Sequence, residues 1–344
     1  MAEASISGIY EVCIGTTDAD SLIKYWQQFG YKVGETGAFS MDQALKLYNV
    51  RSKLKSIRLH HQDADHGLVR LFVWESPSNE GLQLSGMKII GNRWSLTLTN
   101  NIHNLENHAE EAVEQRMPIH FVPSVRGEIY KLKQRPVPFI DTYPLVREMC
   151  LLQPLSRQIF FQRFAYDLPL FGRIDENSFF QTSQFTNVGM VIYENDDHLR
   201  FYDETLGLLR SHHGKPQEST YDDYLTRMIV GLEKDESCSS TYFDDPRSST
   251  TDLQKVRSGR LKILRFPQDI KLENKLQYSN PGSLGYSLYT LRVTNINFFY
   301  DKVQRSNASN ITEICSNEFG ETSFSFVAPD GYFWSILELK VTDM

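Results

Sequence analysis

One strand-and-helix pattern occurs four times along this 344-residue chain, and it limits the fold more than any other feature. The clearest copy is NVGMVIYENDDHLRFYDETLGL, residues 187–208, whose first third alternates apolar and polar residues like a half-buried strand. Asn195 and Asp196 then offer capping side chains for a helix, and Gly207 is placed to end that helix. Repetition of such a unit predicts a modular architecture.

The other three copies keep the same order of elements. The first begins with GIYEVCIGTTD, and Asp18 can cap the helix that follows. In the second, residues 94–99 form the strand and Asn104 is the expected cap; the fourth contains SLYTLRVTN and then NFFYDKVQRSN. Further strands close each unit, and the hairpins at Pro154 and Pro329 match in spacing. We therefore predict four βαβββ modules.

These modules predict an α+β fold of two curved mixed β-sheets with helices outside. Residues 166–183 lack sustained periodicity and are expected to connect two domains of two modules each, at 6–165 and 184–341, with one sheet per half. The polar stretch 233–251 is the expected mobile loop. Modules could pair one with two and three with four, or one with four and two with three, and the sequence leaves both pairings open.

Composition excludes several classes of function. The net charge is −7 with Lys and Arg scattered, which argues against a nucleic-acid surface. No apolar run approaches the ~20 residues that span a bilayer. The N-terminus lacks the features of a secretory signal, and the four cysteines show no CxxC spacing, so a cytoplasmic protein is expected. The expected partner is a small-molecule ligand, and a homodimer is left open.

Two motifs carry a resemblance to a known family. FYDETLGL at 201–208 and APDGYFWSILEL at 328–339, within βαβββ units, resemble the vicinal oxygen chelate superfamily of glyoxalases, bleomycin-resistance proteins and extradiol dioxygenases. The resemblance implies glyoxalase-like domains in which paired modules form cup-shaped sheets that curl around a cavity, one per half.

The resemblance also implies where a metal ion would bind. Its ligands would lie at four first-strand and four last-strand positions, which are Glu11, Arg93, Asn187, Leu288, Arg70, Phe160, Lys262 and Ser335. One of these eight is a ligand of the expected kind, because guanidinium and ammonium groups cannot coordinate a cation and Phe and Leu offer no donor atom. We therefore expect no metal ion and no other cofactor.

Three charged residues are the candidate catalytic group. Glu11 alternates with Val12 and Ile14, which turns it to the concave side of its strand, and the same logic applies to Arg70. With Arg93 they are expected to converge, either as an anion-binding cleft with Glu11 as general base or as a structural salt bridge that fills the cavity.

Side chains on the other strands are the candidate substrate contacts, because aromatic walls with a few polar groups are typical of small-molecule sites. They are Phe160, Asn187, Lys262, Tyr289, Trp334 and Ser335. Aromatic residues on strands are, however, more often core residues.

The stretch HHQDADH at 60–66 is the densest group of metal-binding residue types. His60, His61 and His66, with Asp63 and Asp65, would suit zinc, manganese or iron. Short hairpins collect the same residues for conformational reasons, and a plain turn is the interpretation that we favour.

Three functions follow. The first is a metal-independent lyase or isomerase that acts on a small organic substrate, anionic or aromatic, with Arg70 or Arg93 stabilising an oxyanion. The alternatives are a non-catalytic binding or sequestration protein of the bleomycin-resistance kind, and a metal-dependent dioxygenase or glyoxalase with atypical ligands.

Overall fold

The computed structural model describes residues 4–128, 137–211 and 224–339. Its first module consists of β1 (Ile6–Thr16), α1 (Ala19–Gln27), β2 (Tyr31–Phe39), α2 (Met41–Tyr48), β3 (Leu54–His61) and β4 (Leu68–Trp74). After the short β5 (Ile89–Ile90), the second module consists of β6 (Arg93–Thr99), α3 (Ile102–Glu114), β7 (His120–Glu128), β8 (Leu145–Leu152) and β9 (Arg157–Phe164). Within these ranges, no helix is long and apolar enough to cross a membrane.

The second half of the chain repeats this order. Its third module consists of β10 (Thr182–Tyr193), α4 (Asp196–Arg200), β11 (Leu209–Arg210), α5 (Tyr224–Val230), β12 (Ser239–Asp244) and β13 (Arg260–Phe266). The short β14 (Glu273–Asn274) precedes the fourth module, which consists of β15 (Gly285–Val293), α6 (Ile296–Gln304), β16 (Cys315–Ser316), β17 (Thr322–Val327) and β18 (Phe333–Glu338). The polar stretch 233–251 therefore contains a sheet strand, β12.

Helix starts follow the capping chemistry of the sequence. Asp18 and Asn195 accept hydrogen bonds from backbone amides at the starts of α1 and α4, as predicted. The helix of the second module, α3, begins earlier than predicted, because Asn101 rather than Asn104 is its cap. After α4 the chain widens into a π-helix at Phe201–Thr205, and Gly207 ends it with a φ of +83°.

Eighteen strands are present in the described ranges, and sixteen of them form two curled, mixed sheets. Sheet 1 has the order β16-β17-β18-β15-β1-β4-β3-β2, and sheet 2 has the order β11-β12-β13-β10-β6-β9-β8-β7. Sheet 1 is thus built from modules one and four, and sheet 2 from modules two and three. The predicted α+β class, with repeated modules in two cup-shaped sheets, is confirmed.

The prediction that each half of the chain forms its own sheet is wrong. β1 pairs antiparallel with β15, so that Glu11 lies opposite Thr290 from the other half, and β6 pairs with β10 in the same way. Strand alternation is alike in all four modules and cannot specify which edges meet. The domain limits 6–165 and 184–341 stay a prediction, and residues 340 and 341 lie outside the described ranges.

The main hydrophobic core joins the two sheets. One face of each sheet, here called the core face, contributes to a single buried cluster together with α1, α3, α6 and the π-helix. Val12, Leu71 and Trp334 mark the core face of sheet 1, and Met190 and Ile263 mark that of sheet 2. The opposite face of each sheet, here called the cup face, lines the concave side.

Two helices that the sequence analysis did not predict cover the cup faces. α2 buries Ala44, Leu47 and Tyr48 in a cluster with the cup-face residues Cys13 and Phe72 of sheet 1. α5 buries Leu225, Ile229 and Val230 in a cluster with the cup face of sheet 2. The four predicted module helices pack with the core faces, and α2 and α5 are additions to them.

Gly189 tests the packing of the two central strands of sheet 2. A Cβ atom added there would lie 2.1 Å from ring atoms of Trp94, its partner on β6. We expect Gly189→Ala to lower the free energy of unfolding by ~1–3 kcal/mol, because overpacking displaces the indole. Chemical denaturation measures this change. Gly86→Ala is the control, since nothing lies within 4 Å of its added Cβ; equal losses in both variants would contradict the packing.

Candidate functional site

A buried carboxylate lies at the centre of the cup face of sheet 1. Glu11 is 0% exposed. The Arg58 Nε donates to its Oε1 at 2.5 Å, Arg70 Nη1 donates to Oε2 at 3.5 Å, and the Thr290 hydroxyl donates to Oε2 at 3.0 Å. Three donors from β3, β4 and β15 therefore hold both carboxylate oxygens.

Two more carboxylates extend this ion-pair network, and both come from the turn before β17. Arg58 donates to both oxygens of Glu321, at 3.2 and 2.7 Å, and Arg292 Nη2 donates to Glu321 at 3.3 Å. Arg70 pairs with Glu318. Module one supplies Arg58 and Arg70 while module four supplies both of these carboxylates, so the network joins the first and last modules.

The prediction that Arg93 joins Glu11 is wrong. Arg93 lies on the core face, where its guanidinium donates to the carbonyl oxygens of Ser279 at 3.2 Å and Phe333 at 2.8 Å. It also stacks on Tyr289, 4.7 Å from the ring centroid. The sequence analysis assigned the two faces of β6 with a shift of one residue. Arg58 takes the expected place, and its alternation with Ile57 and Leu59 is the signal that could have identified it.

The network does not fit a divalent metal ion. Glu11 would be the expected ligand, but guanidinium groups of Arg58 and Arg70 already occupy both of its oxygens. A bound cation there would face two fixed positive charges. The neighbouring cup-face residues Thr290 and Ser335 offer hydroxyl groups rather than the imidazole or carboxylate donors that such ions prefer.

The six candidate substrate contacts do not form one site. Phe160, Tyr289 and Trp334 are 0% exposed and belong to the core between the sheets. Tyr289 donates its hydroxyl to the carbonyl oxygens of Trp94 and Gly189, at 3.0 and 2.7 Å. The prediction that these aromatic residues line a cavity wall is wrong, because one-residue alternation places them on the core face.

The three polar candidates lie on cup faces but in different sheets. The Ser335 hydroxyl is 2.5 Å from that of Ser325 in sheet 1. Asn187 and Lys262 lie on β10 and β13 of sheet 2, where the Lys262 ammonium stands 5.7 Å from the Tyr242 ring centroid. These residues are therefore separated by the core that joins the sheets.

The histidine-rich hairpin sends its side chains to different partners. His60 Nε2 is 2.6 Å from Glu35, His61 Nε2 is 3.0 Å from the Thr182 carbonyl, and His66 bridges Asp65 and Ser258. In the part of the chain that the structure describes, no group of three or more His, Cys, Asp or Glu side chains could hold a metal ion.

A cavity of about 350 Å³ opens beside the ion-pair network, at the end of the first cup that α2 leaves uncovered. Its polar wall consists of Tyr10, Glu35, Arg58, His60, Asp65, Arg292 and Glu321, and its apolar wall of Ala64, Leu68 and Phe319. Of the residues that the sequence analysis singled out, His60 and Asp65 line it. This cavity, here called the first-cup cavity, is the candidate site.

Tyr10 reaches the cavity through an irregularity in β1. The β1–β15 register shifts between Ile9 and Glu11, and such a bulge re-aims side chains. The Tyr10 ring packs between two guanidinium groups, 5.2 Å from Arg58 and 4.2 Å from Arg292. Strict alternation would have sent Tyr10 to the core face, so sequence reasoning missed it.

Burial and charge set the protonation of the cavity wall. Burial raises the pKa of Tyr10 well above that of an exposed tyrosine, and the neighbouring Glu11 carboxylate raises it further, so the phenol is neutral at pH 7. Burial also raises the pKa of Glu321, but the Arg58 guanidinium outweighs burial and lowers that pKa to about 2. Glu321 is therefore an anion at every ordinary pH.

Several solved structures of other proteins share this fold. Glyoxalase I from Zea mays matches with a TM-score of 0.52 at 12% identity, over 97% of this chain and 93% of that chain. A proposed dioxygenase from Bacillus subtilis matches with a TM-score of 0.51 at 10% identity, over 97% of this chain and 86% of that chain. No protein-family model and no curated protein matches the sequence. The fold expected from the vicinal oxygen chelate resemblance is thus confirmed.

Glu11→Gln tests whether the network is a structural element. The amide would leave Arg58 and Arg70 buried without the carboxylate between them, so we expect a loss of ~3–5 kcal/mol in the free energy of unfolding. Urea denaturation measures it. Glu75→Gln, which removes one partner of the exposed pair with Lys53, is the control and should change stability by less than ~1 kcal/mol.

Glu321 gives the network a dependence on pH. Its folded pKa lies below its unfolded value, so its stabilisation is complete above about pH 4.5 and is lost as the pH falls toward 2. We expect the stability difference between the wild type and Glu321→Gln to be roughly 2–3 kcal/mol at pH 7 and to shrink below pH 4.5. Unfolding free energies from pH 7 to 3 test this; a difference that stays constant across that range would contradict the pairing.

Proposed function

We propose that this protein binds a small organic molecule in the first-cup cavity without a metal ion, and that binding rather than turnover is its main activity. The observation that carries the proposal is the cavity itself, about 350 Å³ in volume and walled by both charged and apolar side chains. That volume falls within the range of small-molecule sites.

The second cup offers less room for a ligand. α5 packs Leu225, Ile229 and Val230 into the cluster that contains the cup-face residues Leu96 and Val191. These apolar side chains occupy the position that a ligand would need. The two cups have the same strand architecture but different covering helices, α2 over the first and α5 over the second. This difference favours a binding site in the first cup.

The position of the Glu11 carboxylate argues against a catalytic role for this residue and so favours binding. Glu11 does not line the first-cup cavity, and the wall residue Arg58 lies between it and the cavity. Donors from Arg58, Arg70 and Thr290 hold its oxygens, which leaves no accessible oxygen to take a proton from a ligand.

A lyase or isomerase is the second candidate, and a different pair of residues favours it. His60 and Glu35 both line the cavity, with the imidazole Nε2 2.6 Å from the Glu35 carboxylate. A carboxylate that orients an imidazole in this way is a common arrangement in general acid–base catalysis. Deuterium uptake from solvent into a bound compound, with wild type but not with His60→Gln, would support this candidate.

The cellular setting is part of the same proposal. The four cysteines are free thiols, which fits a reducing cytoplasm. A homodimer remains a proposal as well, and size-exclusion chromatography with light scattering tests it.

Ala64→Trp tests the binding site. Ala64 lies on the hairpin that lines the cavity, so an indole there would fill much of the space and should weaken ligand binding at least ~10-fold by steric exclusion. A thermal-shift screen of an organic compound library against wild type identifies ligands, and calorimetry with the variant gives the loss. Ala38→Trp, at an exposed β2 position outside the cavity wall, is the matched control. Ligands that bind Ala64→Trp as tightly as wild type would place the site elsewhere.

A further inference from the structure

We infer that the ligand of the first-cup cavity is uncharged and presents an oxygen to the hydroxyl group of Tyr10. This inference rests on the proposed function, because it concerns the ligand of the same cavity. Two independent observations carry it, which are the charge pairing of the cavity wall and the orphaned hydroxyl group of Tyr10.

Each charged group on the wall already has a partner within the protein. Glu321 accepts hydrogen bonds from Arg58 and Arg292, which are the two guanidinium groups of the wall. Glu35 is 2.6 Å from His60, and Asp65 contacts both His66 and Arg247. No carboxylate of the described wall is left without a nitrogen donor.

This pairing disfavours a charged ligand. An anion would compete with Glu321 for the guanidinium groups, and a cation would compete with them for Glu321. In either case one buried charge would lose part of its compensation, and the ligand would give up its own hydration. A neutral ligand adds hydrogen bonds to the remaining lone pairs of the wall without displacing any partner.

Tyr10 supplies the polar group that such a ligand needs. The residue is 3% exposed, it lines the cavity, and its hydroxyl has no hydrogen-bond partner among the residues that the structure describes. Because its pKa is raised, the phenol stays protonated at pH 7, and its hydroxyl group can donate to a ligand oxygen. The hydroxyl group opens onto the cavity, so a ligand oxygen can accept its hydrogen bond without displacing any protein partner.

The remaining wall sets the shape of the ligand. Ala64, Leu68 and Phe319 form an apolar side next to the polar side that carries Tyr10. A compound with an apolar ring body and one hydroxyl or carbonyl group matches both sides. The chemical class that the cavity selects is therefore a neutral alcohol, phenol or ketone with a hydrocarbon frame.

Three probes of equal shape and different charge test the inference. They are 2-naphthalenemethanol, 2-naphthoate and 2-naphthylmethylamine, and their binding to the full chain at pH 7.5 is measured by calorimetry. We expect the alcohol to bind about tenfold or more tightly than either charged analogue. Tyr10→Phe keeps the ring between Arg58 and Arg292 and should weaken the alcohol about two- to tenfold, the value of one neutral hydrogen bond.

The matched controls separate this inference from the proposed function. Tyr278→Phe, outside the cavity wall, should leave binding of the alcohol unchanged. If a charged probe binds more tightly than the alcohol and its binding is abolished in Ala64→Trp, the cavity is a binding site but the inference is overturned. Equal binding of the alcohol to wild type and Tyr10→Phe also overturns it, as does the failure of all three probes to bind. Library ligands that bind Ala64→Trp normally overturn the proposed function.

Discussion

The antiparallel pairing of β1 with β15 is the constraint on which the rest of the structure depends. It places Glu11 opposite Thr290 and so brings the first and last modules into one sheet. Once these two modules are joined, modules two and three pair with each other through β6 and β10. The two sheets then share one core, because the apolar face of each sheet is removed from water only when it packs against the other. Tyr289 connects them directly by donating from β15 to backbone carbonyl groups of β6 and β10.

The same pairing explains why charged side chains can occupy the concave side of the first cup. Arg58 and Arg70 come from module one, while Glu318 and Glu321 come from a turn of module four. Neither set could be buried alone, since an isolated charge in the interior is costly. Together with Glu11 they form ion pairs at the position where the family resemblance had implied a metal ion. The fold that this chain shares with a glyoxalase and a proposed dioxygenase does not by itself imply their chemistry.

Two additional helices decide how much of each cup remains open. α5 fills the second cup with apolar side chains, whereas α2 covers the first cup only in part. The uncovered end holds the first-cup cavity, whose wall comes from β1, β2, β3, β4 and β15, the hairpin between β3 and β4, and the turn before β17. The proposed binding function thus depends on short segments inserted into otherwise repeated modules. The repeated strands provide a rigid frame, and the inserted segments determine which of two similar surfaces can hold a ligand.

The sequence by itself determined the modules, most of their strands and the caps of their helices, because alternation and capping act between residues close along the chain. It also determined that Glu11 and Arg70 share a face, since both follow the same strand period. Only the tertiary structure decided that module one pairs with module four, that Arg93 faces the core, and that Tyr10 faces the cavity. Similar modules present equivalent edges, so the energy that selects a partner comes from distant side chains. A shift of one residue in a strand also reverses its faces, and a bulge such as that at Tyr10 is stabilised by strands from the other end of the chain.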